Sequence, residues 1–474
     1  MELKTINPLL YIFLIGIIGL SIFFRFYNLG MGSYWYDELY SVQLAKHTSR
    51  ELLNNTYFDP GNPPLHPFIL SPWMFYFGNT EAATRSLSGV LSIIAIVAFY
   101  FLVKNYVQSS FTRLVTITLY IVAWMHIWGA RETRYYSLLL FISTLVVLIF
   151  TKVLRRNRNL DIFVFAFVSI LGLLTHYSFA ILILGCMLVW LTYARTKKIL
   201  IYFLIVCLPL FPFFLTRMNV LAIGNNQPFW IKLNSVFQYD ITGKIHDTPM
   251  SIVMFVKAIL FAAPNYLRLI FVCVFGASIV YFIVKEELSK KEERVIAMLG
   301  ILVSISLLSP LNRILNNAYY FFFLTPVFFL VFGIIISKLF VGWRLGVGTV
   351  LVSIFLYSNL IYLSNHSYYF NTWHIDRMVG DMIQRNIPVV IFGNGDIRFI
   401  AEYYFDHNPS KKIIKYDSDV FFSFGASTKR VAFVGYEGNK RFWEKVDVNA
   451  LVTKSKLSEE RAYGNGVIMR YYTP

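Results

Sequence analysis

Long apolar runs alternate with short polar connections through the first three quarters of the chain. The runs cover 8–26, 86–103, 111–130, 135–153, 160–175, 177–194, 199–216, 266–284, 295–309, 318–337 and 345–363. Most approach the about 20 residues that a helix needs to cross a bilayer, and none alternates like a strand of a membrane barrel. The pattern predicts a polytopic α-helical membrane domain over 1–364 with about eleven transmembrane helices. The stretch 251–263 is apolar but short and precedes Pro264 and Asn265. It reads as a re-entrant or interfacial helix; if it spans, the C-terminus changes sides.

Two regions break the pattern. The first, 27–85, is a large aromatic and polar loop containing Asn62-Pro63-Pro64-Leu65-His66-Pro67. Three prolines in close succession oppose a continuous helix there. The apolar stretch Phe68 to Phe77 that follows suits a helix lying in the membrane interface, with Trp73 and Tyr76 as anchors. The second region, 365–474, carries short β-branched runs at 387–393, 412–416, 430–435 and 466–472, with helical spacing at 396–405 and near 440–449. It predicts a small α/β domain. The turn Gly393-Asn394-Gly395-Asp396 lacks the full glycine pattern of a dinucleotide site and reads as a tight turn.

Composition agrees with the pattern. Of 474 residues, 57% are hydrophobic and 15% charged, more apolar surface than a soluble fold of this size can hide. The net charge of +17 sets sidedness. Lysines and arginines crowd the short connections 104–113, 152–158, 195–198, 285–294 and 338–344, which places these and the N-terminus in the cytoplasm. Loops 27–85, 131–134, 176, 217–265 and 310–317, and the C-terminal domain, then lie outside. No basic stripe marks a soluble module, so nucleic acid is not an expected partner. Cys186, Cys207 and Cys273 all sit in apolar runs and imply no disulfide framework. Lys4 and the first apolar run precede no small-residue cleavage site, so that run reads as a retained span.

The polar residues that invite a chemical reading share the outer side. Asp37 and Glu38 follow the first run and are wrapped by Tyr34, Trp35, Tyr36 and Tyr40. They are either plain interfacial acids or a reaction centre, and the aromatics are either sugar-stacking walls or a membrane belt. Arg131 and Arg134 are three apart, where they either clamp a phosphate or snorkel to headgroups and pair with Glu132 and Glu81. Arg85 is a phosphate contact or a salt bridge. His176 is a substrate contact or an interfacial histidine, and His66 is a ligand or a turn residue. Arg313 lies between the ninth and tenth runs. Arginine outside runs against the topogenic bias, and ionisable residues at membrane depth are functional suspects. No HExxH or DxD motif appears. A divalent metal stays an open question, and no motif demands one. An acid able to take a proton, beside cations at a membrane entrance, suits transfer of a group from a lipid-linked phosphate to an acceptor.

The ordered motifs Arg25-Phe26, Trp35-Tyr36-Asp37-Glu38, Asn62-Pro63-Pro64-Leu65-His66, Arg85-Ser86-Leu87-Ser88, Ala130-Arg131-Glu132-Thr133-Arg134-Tyr135-Tyr136 and Thr175-His176-Tyr177 carry a resemblance. The chain resembles the dolichyl-phosphate-mannose protein mannosyltransferase-like superfamily, which includes the bacterial lipid A aminoarabinose transferases. The resemblance implies a membrane glycosyltransferase of the C superfold. Such enzymes use polyprenyl-phosphate sugars and invert the anomeric centre. It implies Asp37 as catalytic base with Glu38 second, and Arg131 and Arg134, with Arg85, near the donor phosphate. His66, His176, Tyr36 and Tyr135 become candidate substrate contacts. Many relatives carry an Arg-Tyr pair before a proline in a late span; Asn316-Asn317-Ala318-Tyr319-Tyr320 here lacks that arginine, and Arg313 stands one turn earlier.

The expectation is therefore an inverting glycosyltransferase in the cell membrane, acting outside on a lipid, glycan or protein acceptor. A lipid-linked glycan flippase would instead line a mid-span path with charge and show internal symmetry. A non-enzymatic scaffold would leave the outward arginines without a purpose.

Overall fold

A computed structural model describes residues 8–48, 51, 63–193, 198, 201–202, 204–205, 208, 255–257, 259–260, 262–306, 321–364, 374–385, 389–392, 395–406, 414–417, 431–436, 456–463 and 467–473. Arg313, residues 316–320, the expected helix near 440–449 and the Gly393-Asn394 step lie outside the described residues, as does part of 251–263. The chain divides into two compact units. One comprises Met1–Leu29, Leu44–Asn79 and Ala83–Asn365; the other comprises Gly30–Gln43, Thr80–Ala82 and His366–Pro474.

The first unit is helical. Its described elements are α1 (Pro8–Phe26), the end of α2 (Tyr36–Ala45), α3 (Leu65–Phe77), α4 (Glu81–Lys104, its first two residues in the other unit), α5 (Ser110–Val122), α6 (Trp124–Ala130), α7 (Tyr136–Arg156), α8 (Asn159–Leu173), α9 (Phe179–Tyr193), α10 (Asn265–Val284), α11 (Lys290–Ser306), α12 (Thr325–Leu339) and α13 (Leu345–Ser364). Among the described residues, four stretches are long and apolar enough to cross a membrane: Glu81–Lys104, Tyr136–Arg156, Asn265–Val284 and Gly342–Ser364. Several shorter apolar helices accompany them. The protein is an integral membrane protein.

Packing follows side-chain character. α12 is apolar all round and buried on every side, as an interior helix must be. Its Phe328, Phe329 and Phe332 meet Phe275 of α10, Tyr120 of α5 and Phe355 of α13 at 5.3–6.0 Å between ring centroids. By contrast α1 and α10 expose Ile15, Ile18, Leu20, Tyr266 and Leu269 among the described residues, an apolar surface suited to lipid. The basic connections do local work too. Lys198, Lys291 and Lys338 donate to the carbonyls of Asn157, Asn105 and Glu287 at 2.8–2.9 Å, satisfying orphan acceptors beyond helix C-termini.

Two departures from the sequence pattern shape the site region. The run 111–130 is not one straight span: α5 and α6 meet at a 51° bend. No proline or glycine sits at the break. Ala123 leaves the helical conformation, and the freed Trp124 N–H donates to Asn359 Oδ1 of α13 at 2.7 Å. Arg25 of α1, fully buried, donates to Ile121 O at 3.2 Å and to Ser92 Oγ at 2.8 Å, tying α1 and α4 to the same break. The second departure is α3, which begins at Leu65 rather than Phe68. Pro67 falls in the first turn, where a missing N–H leaves no bond unmade, so the prolines start the helix instead of preventing it. His66 is therefore a first-turn helical residue.

The second unit holds α14 (Ile375–Gln384), β1 (Val389–Phe392), α15 (Gly395–Asp406), β2 (Ile414–Asp417), β3 (Val431–Tyr436), β4 (Lys456–Ala462) and β5 (Val467–Thr473), together with most of α2. The strands form one sheet in the order β2-β1-β3-β5-β4, with β1 parallel to β2 and β3 and the β3-β5-β4 half antiparallel. α14 buries Ile375, Met378, Val379 and Met382, an i, i+3, i+4, i+7 stripe. β4 is mostly exposed at the end of the described strand order and carries charge, an edge that discourages further pairing. Arg461 of β4 bonds Asp381 and Glu459, while Arg385 also bonds Glu459, so the edge is ion-paired to the end of α14.

Candidate functional site

The expected site residues fall into two constellations, one in each unit. In the helical unit the first lies at the turn 131–135 between α6 and α7. Arg131 and Arg134, alike on paper, have different partners. Arg131 donates to Tyr27 O at 2.8 Å, Phe24 O at 3.3 Å and Asn28 O at 3.5 Å. These carbonyls close α1, whose chain turns through a left-handed Asn28 (φ 55°). A guanidinium there satisfies acceptors that the helix leaves open and meets the negative end of its dipole. Arg85 donates to Leu29 O at 2.8 Å one residue further on. Thr84 and Thr133 bond each other at 2.9 Å, fastening α4 to the turn.

Arg134 turns elsewhere. Its guanidinium lies over the Tyr135 ring, 5.0 Å from the centroid. Tyr135 stacks on His176, with centroids 4.6 Å apart and planes at 22°. His176 sits in the tight turn between α8 and α9. The backbone N–H of Ser178 donates to its Nδ1 at 3.1 Å, so the ring's proton is on Nε2. His66 comes to the same place because the Leu65 N–H donates to Leu174 O at 2.9 Å, joining the start of α3 to the His176 turn. His66 is 3% exposed, and among the described residues its Nε2 has no hydrogen-bond partner. Burial, then the nearby charge of Arg134, pushes both imidazoles down to about 3, so both are neutral at pH 7.

Close packing fixes this cluster. Gly129, just before the turn, would place a Cβ 2.5 Å from the Phe322 ring, which stacks on Tyr136 with centroids 5.4 Å apart. Gly172 meets the Phe179 ring in the same way beside His176. Arg134, His66, His176 and Tyr135 are thus brought together, while Arg131 and Arg85 brace the end of α1.

The second constellation is the segment Ser33 to Ser41. Trp35 precedes α2, and Glu38 reaches back to accept from the Trp35 N–H at 3.3 Å. This is the carboxylate half of a capping box, and Glu38 is fully buried. Asp37, one residue earlier, is half-buried. Tyr36 is exposed and its ring meets Phe399 of α15 at 5.2 Å. Two residues that the motifs did not mark for chemistry hold this segment. Tyr404 of α15 accepts from the Tyr34 N–H at 2.9 Å and donates to the Glu81 carboxylate. Among the described residues, no three His, Cys, Asp or Glu side chains converge as a metal-ligand set.

The chain is similar in structure to ArnT from Cupriavidus metallidurans solved with undecaprenyl phosphate bound. The match covers 98% of each chain at 10% sequence identity and a TM-score of 0.56. The chain has the ArnT fold. It is also matched with ArnT from Cupriavidus metallidurans in the apo state, at 13% identity and a TM-score of 0.47 over 98% of each chain. No protein-family model and no curated protein matches the sequence. The fold agrees with the resemblance drawn from the ordered motifs, and the likeness to ArnT lies in the path of the chain far more than in its residues.

Proposed function

We propose that the protein is an inverting glycosyltransferase that moves a sugar from a polyprenyl-phosphate donor to an acceptor outside the cytoplasm. Fold alone does not assign an activity, so the site must carry the reading. The observation that carries it is the convergence of Arg134 with two neutral, buried imidazoles, His66 and His176, beside the turn 131–135 of the helical unit. A guanidinium beside neutral imidazoles, whose ring N–H groups can donate, is suited to receive a phosphate. The Nε2 of His66, without a partner among the described residues, is the kind of buried atom that a ligand satisfies.

In this reading Asp37 takes the proton of the acceptor hydroxyl or amine as that group attacks the anomeric carbon. The bond from the anomeric carbon to the phosphate oxygen breaks on the opposite face. Its electron pair leaves on polyprenyl phosphate, whose charge Arg134 stabilises. Glu38 holds the N-terminus of α2, and Arg131 and Arg85 hold the end of α1. Arg313, expected at a late phosphate contact, stays part of the proposal on sequence grounds. So do the span count of about eleven, the cytoplasmic N-terminus and the outward C-terminal α/β domain. Lys198, Lys291 and Lys338 at helix ends support that sidedness.

Titrating undecaprenyl phosphate into the purified protein in nanodiscs, read by native mass spectrometry, tests the receptor. Wild type should bind it, and Arg134→Ala should weaken binding about 10- to 100-fold, the worth of one charged hydrogen bond. Equal binding by both would remove the phosphate assignment.

A further inference from the structure

The segment that carries Asp37 is held from the C-terminal chain. We propose that Tyr404 is a positioning residue for Asp37, its hydroxyl pinning the backbone at Tyr34 to the Glu81 carboxylate and so fixing where α2 begins. This rests on the reading of Asp37 as general base.

Contacts within the second unit carry it. The Tyr404 hydroxyl accepts from the Tyr34 N–H at 2.9 Å and donates its own proton to Glu81, so one oxygen joins segments 370 and 323 residues away in sequence. Burial and the adjacent Glu81 carboxylate push the Tyr404 hydroxyl's pKa well up, which keeps its proton in place as donor. Next to Tyr34, Ser33 Oγ accepts the Ile375 N–H at 3.1 Å, a second tie to the start of α14. The rings of Tyr34 and Tyr36 then rest against Tyr403 and Phe399 of α15. Tyr34 precedes Asp37 by three residues, and Glu38 anchors the intervening Trp35 N–H. The chain entering α2 is therefore tied at three successive residues, through the Ser33 side chain and the Tyr34 and Trp35 N–H groups, which fixes the backbone that carries Asp37. A general base needs that fixity, since small misplacements of a reacting group cost large factors in rate.

Removing the Tyr404 hydroxyl should slow the chemical step without touching donor capture, because the phosphate receptor belongs to the helical unit. The test uses full-length protein in cells lacking the native gene, with expression induced after lipid-linked sugar has accumulated. The rate at which that lipid disappears is followed by mass spectrometry of the polyprenyl lipids. Tyr404→Phe should slow turnover about 10- to 100-fold at equal membrane abundance and leave undecaprenyl phosphate binding unchanged. Amide exchange over 33–38 should accelerate about tenfold in the same variant. Glu81→Gln, which keeps a carbonyl acceptor for the tyrosine, should stay within a few-fold of wild type, and Glu81→Leu should match Tyr404→Phe. In an Asp37→Asn background, adding Tyr404→Phe should lower the residual rate no further, because the tether acts through Asp37. Wild-type turnover by Tyr404→Phe, or a full additional loss on top of Asp37→Asn, overturns the positioning role and leaves Asp37 as base intact. Full activity of Asp37→Asn alone overturns the base itself, and the two failures are read on separate arms.

Discussion

Two motif pairs, one in each unit, show how similar residues come to do different work. In the helical unit, Arg131 and Arg134 are three residues apart and carry the same charge. Arg131 is engaged by the backbone carbonyls that end α1, whereas Arg134 lies beside two buried imidazoles. In the other unit Asp37 and Glu38 are neighbours with the same chemistry. Glu38 is fully buried and caps its own helix, whereas Asp37 stays half-buried. In each pair one member braces a helix terminus, Arg131 at the end of α1 and Glu38 at the start of α2. Identity and spacing alone do not say which charge in a motif braces the backbone.

Substitutions separate the bracing residues from the reacting ones. The largest effect should come from Asp37→Asn, which should lower sugar transfer about 10²- to 10⁴-fold, the usual worth of a general base. Glu38→Gln, which keeps an acceptor for the Trp35 N–H, should stay near wild type in the same assay. Next comes Arg134→Ala, which should weaken undecaprenyl phosphate binding about 10- to 100-fold. Arg131→Ala should instead leave binding closer to wild type and lower the unfolding midpoint, because it strips the end of α1 of its donor; equal binding losses in both would erase the distinction. The third effect is on pH. His66 and His176 have folded pKa values near 3 against an ordinary 6.5. Below 6.5 the unfolded chain takes up protons that the folded chain refuses, so stability should fall as pH falls. The slope is up to about 1.4 kcal/mol per pH unit for each histidine. Comparing unfolding midpoints at about pH 7 and about pH 5.5 checks it, and His66→Gln should lose less on acidification than wild type. The smallest effect belongs to Glu38→Ala, which should cost about 1 kcal/mol as a lost cap, visible in the unfolding midpoint.

Much of the fold is legible in the sequence because apolar runs of helical length leave a chain in lipid few alternatives. α4, α7, α10 and α13 lie where their runs predict, the β-branched run at 387–393 contains strand β1, and the run at 466–472 overlaps all but the last residue of β5. β4 is not legible: Lys456 to Ala462 is polar and exposed, and it is a strand because β5 pairs with it. The α5–α6 bend is equally silent, since its cause is Asn359, more than 230 residues away. Of the site, the arginines, acids and histidines are visible as types. Their division of labour is not, because the acceptors that engage Arg131 and Arg85 are backbone carbonyls of a distant helix end. Trp35 gives no hint of a capped helix start either, since the usual serine or threonine is absent. Tyr404 escapes altogether; a lone tyrosine in an aromatic-rich helix carries no signal until its hydroxyl is seen between Tyr34 and Glu81.

The central claim is that Asp37 drives transfer of a sugar from a polyprenyl-phosphate donor. Its most direct test follows the polyprenyl-linked sugars of cells lacking this gene by mass spectrometry, then supplies wild-type or Asp37→Asn protein at equal membrane abundance. The account predicts that a sugar-loaded polyprenyl phosphate accumulates without the protein, is consumed when wild type is restored, and persists with Asp37→Asn. Consumption by Asp37→Asn at the wild-type rate, or no accumulation in its absence, would contradict it.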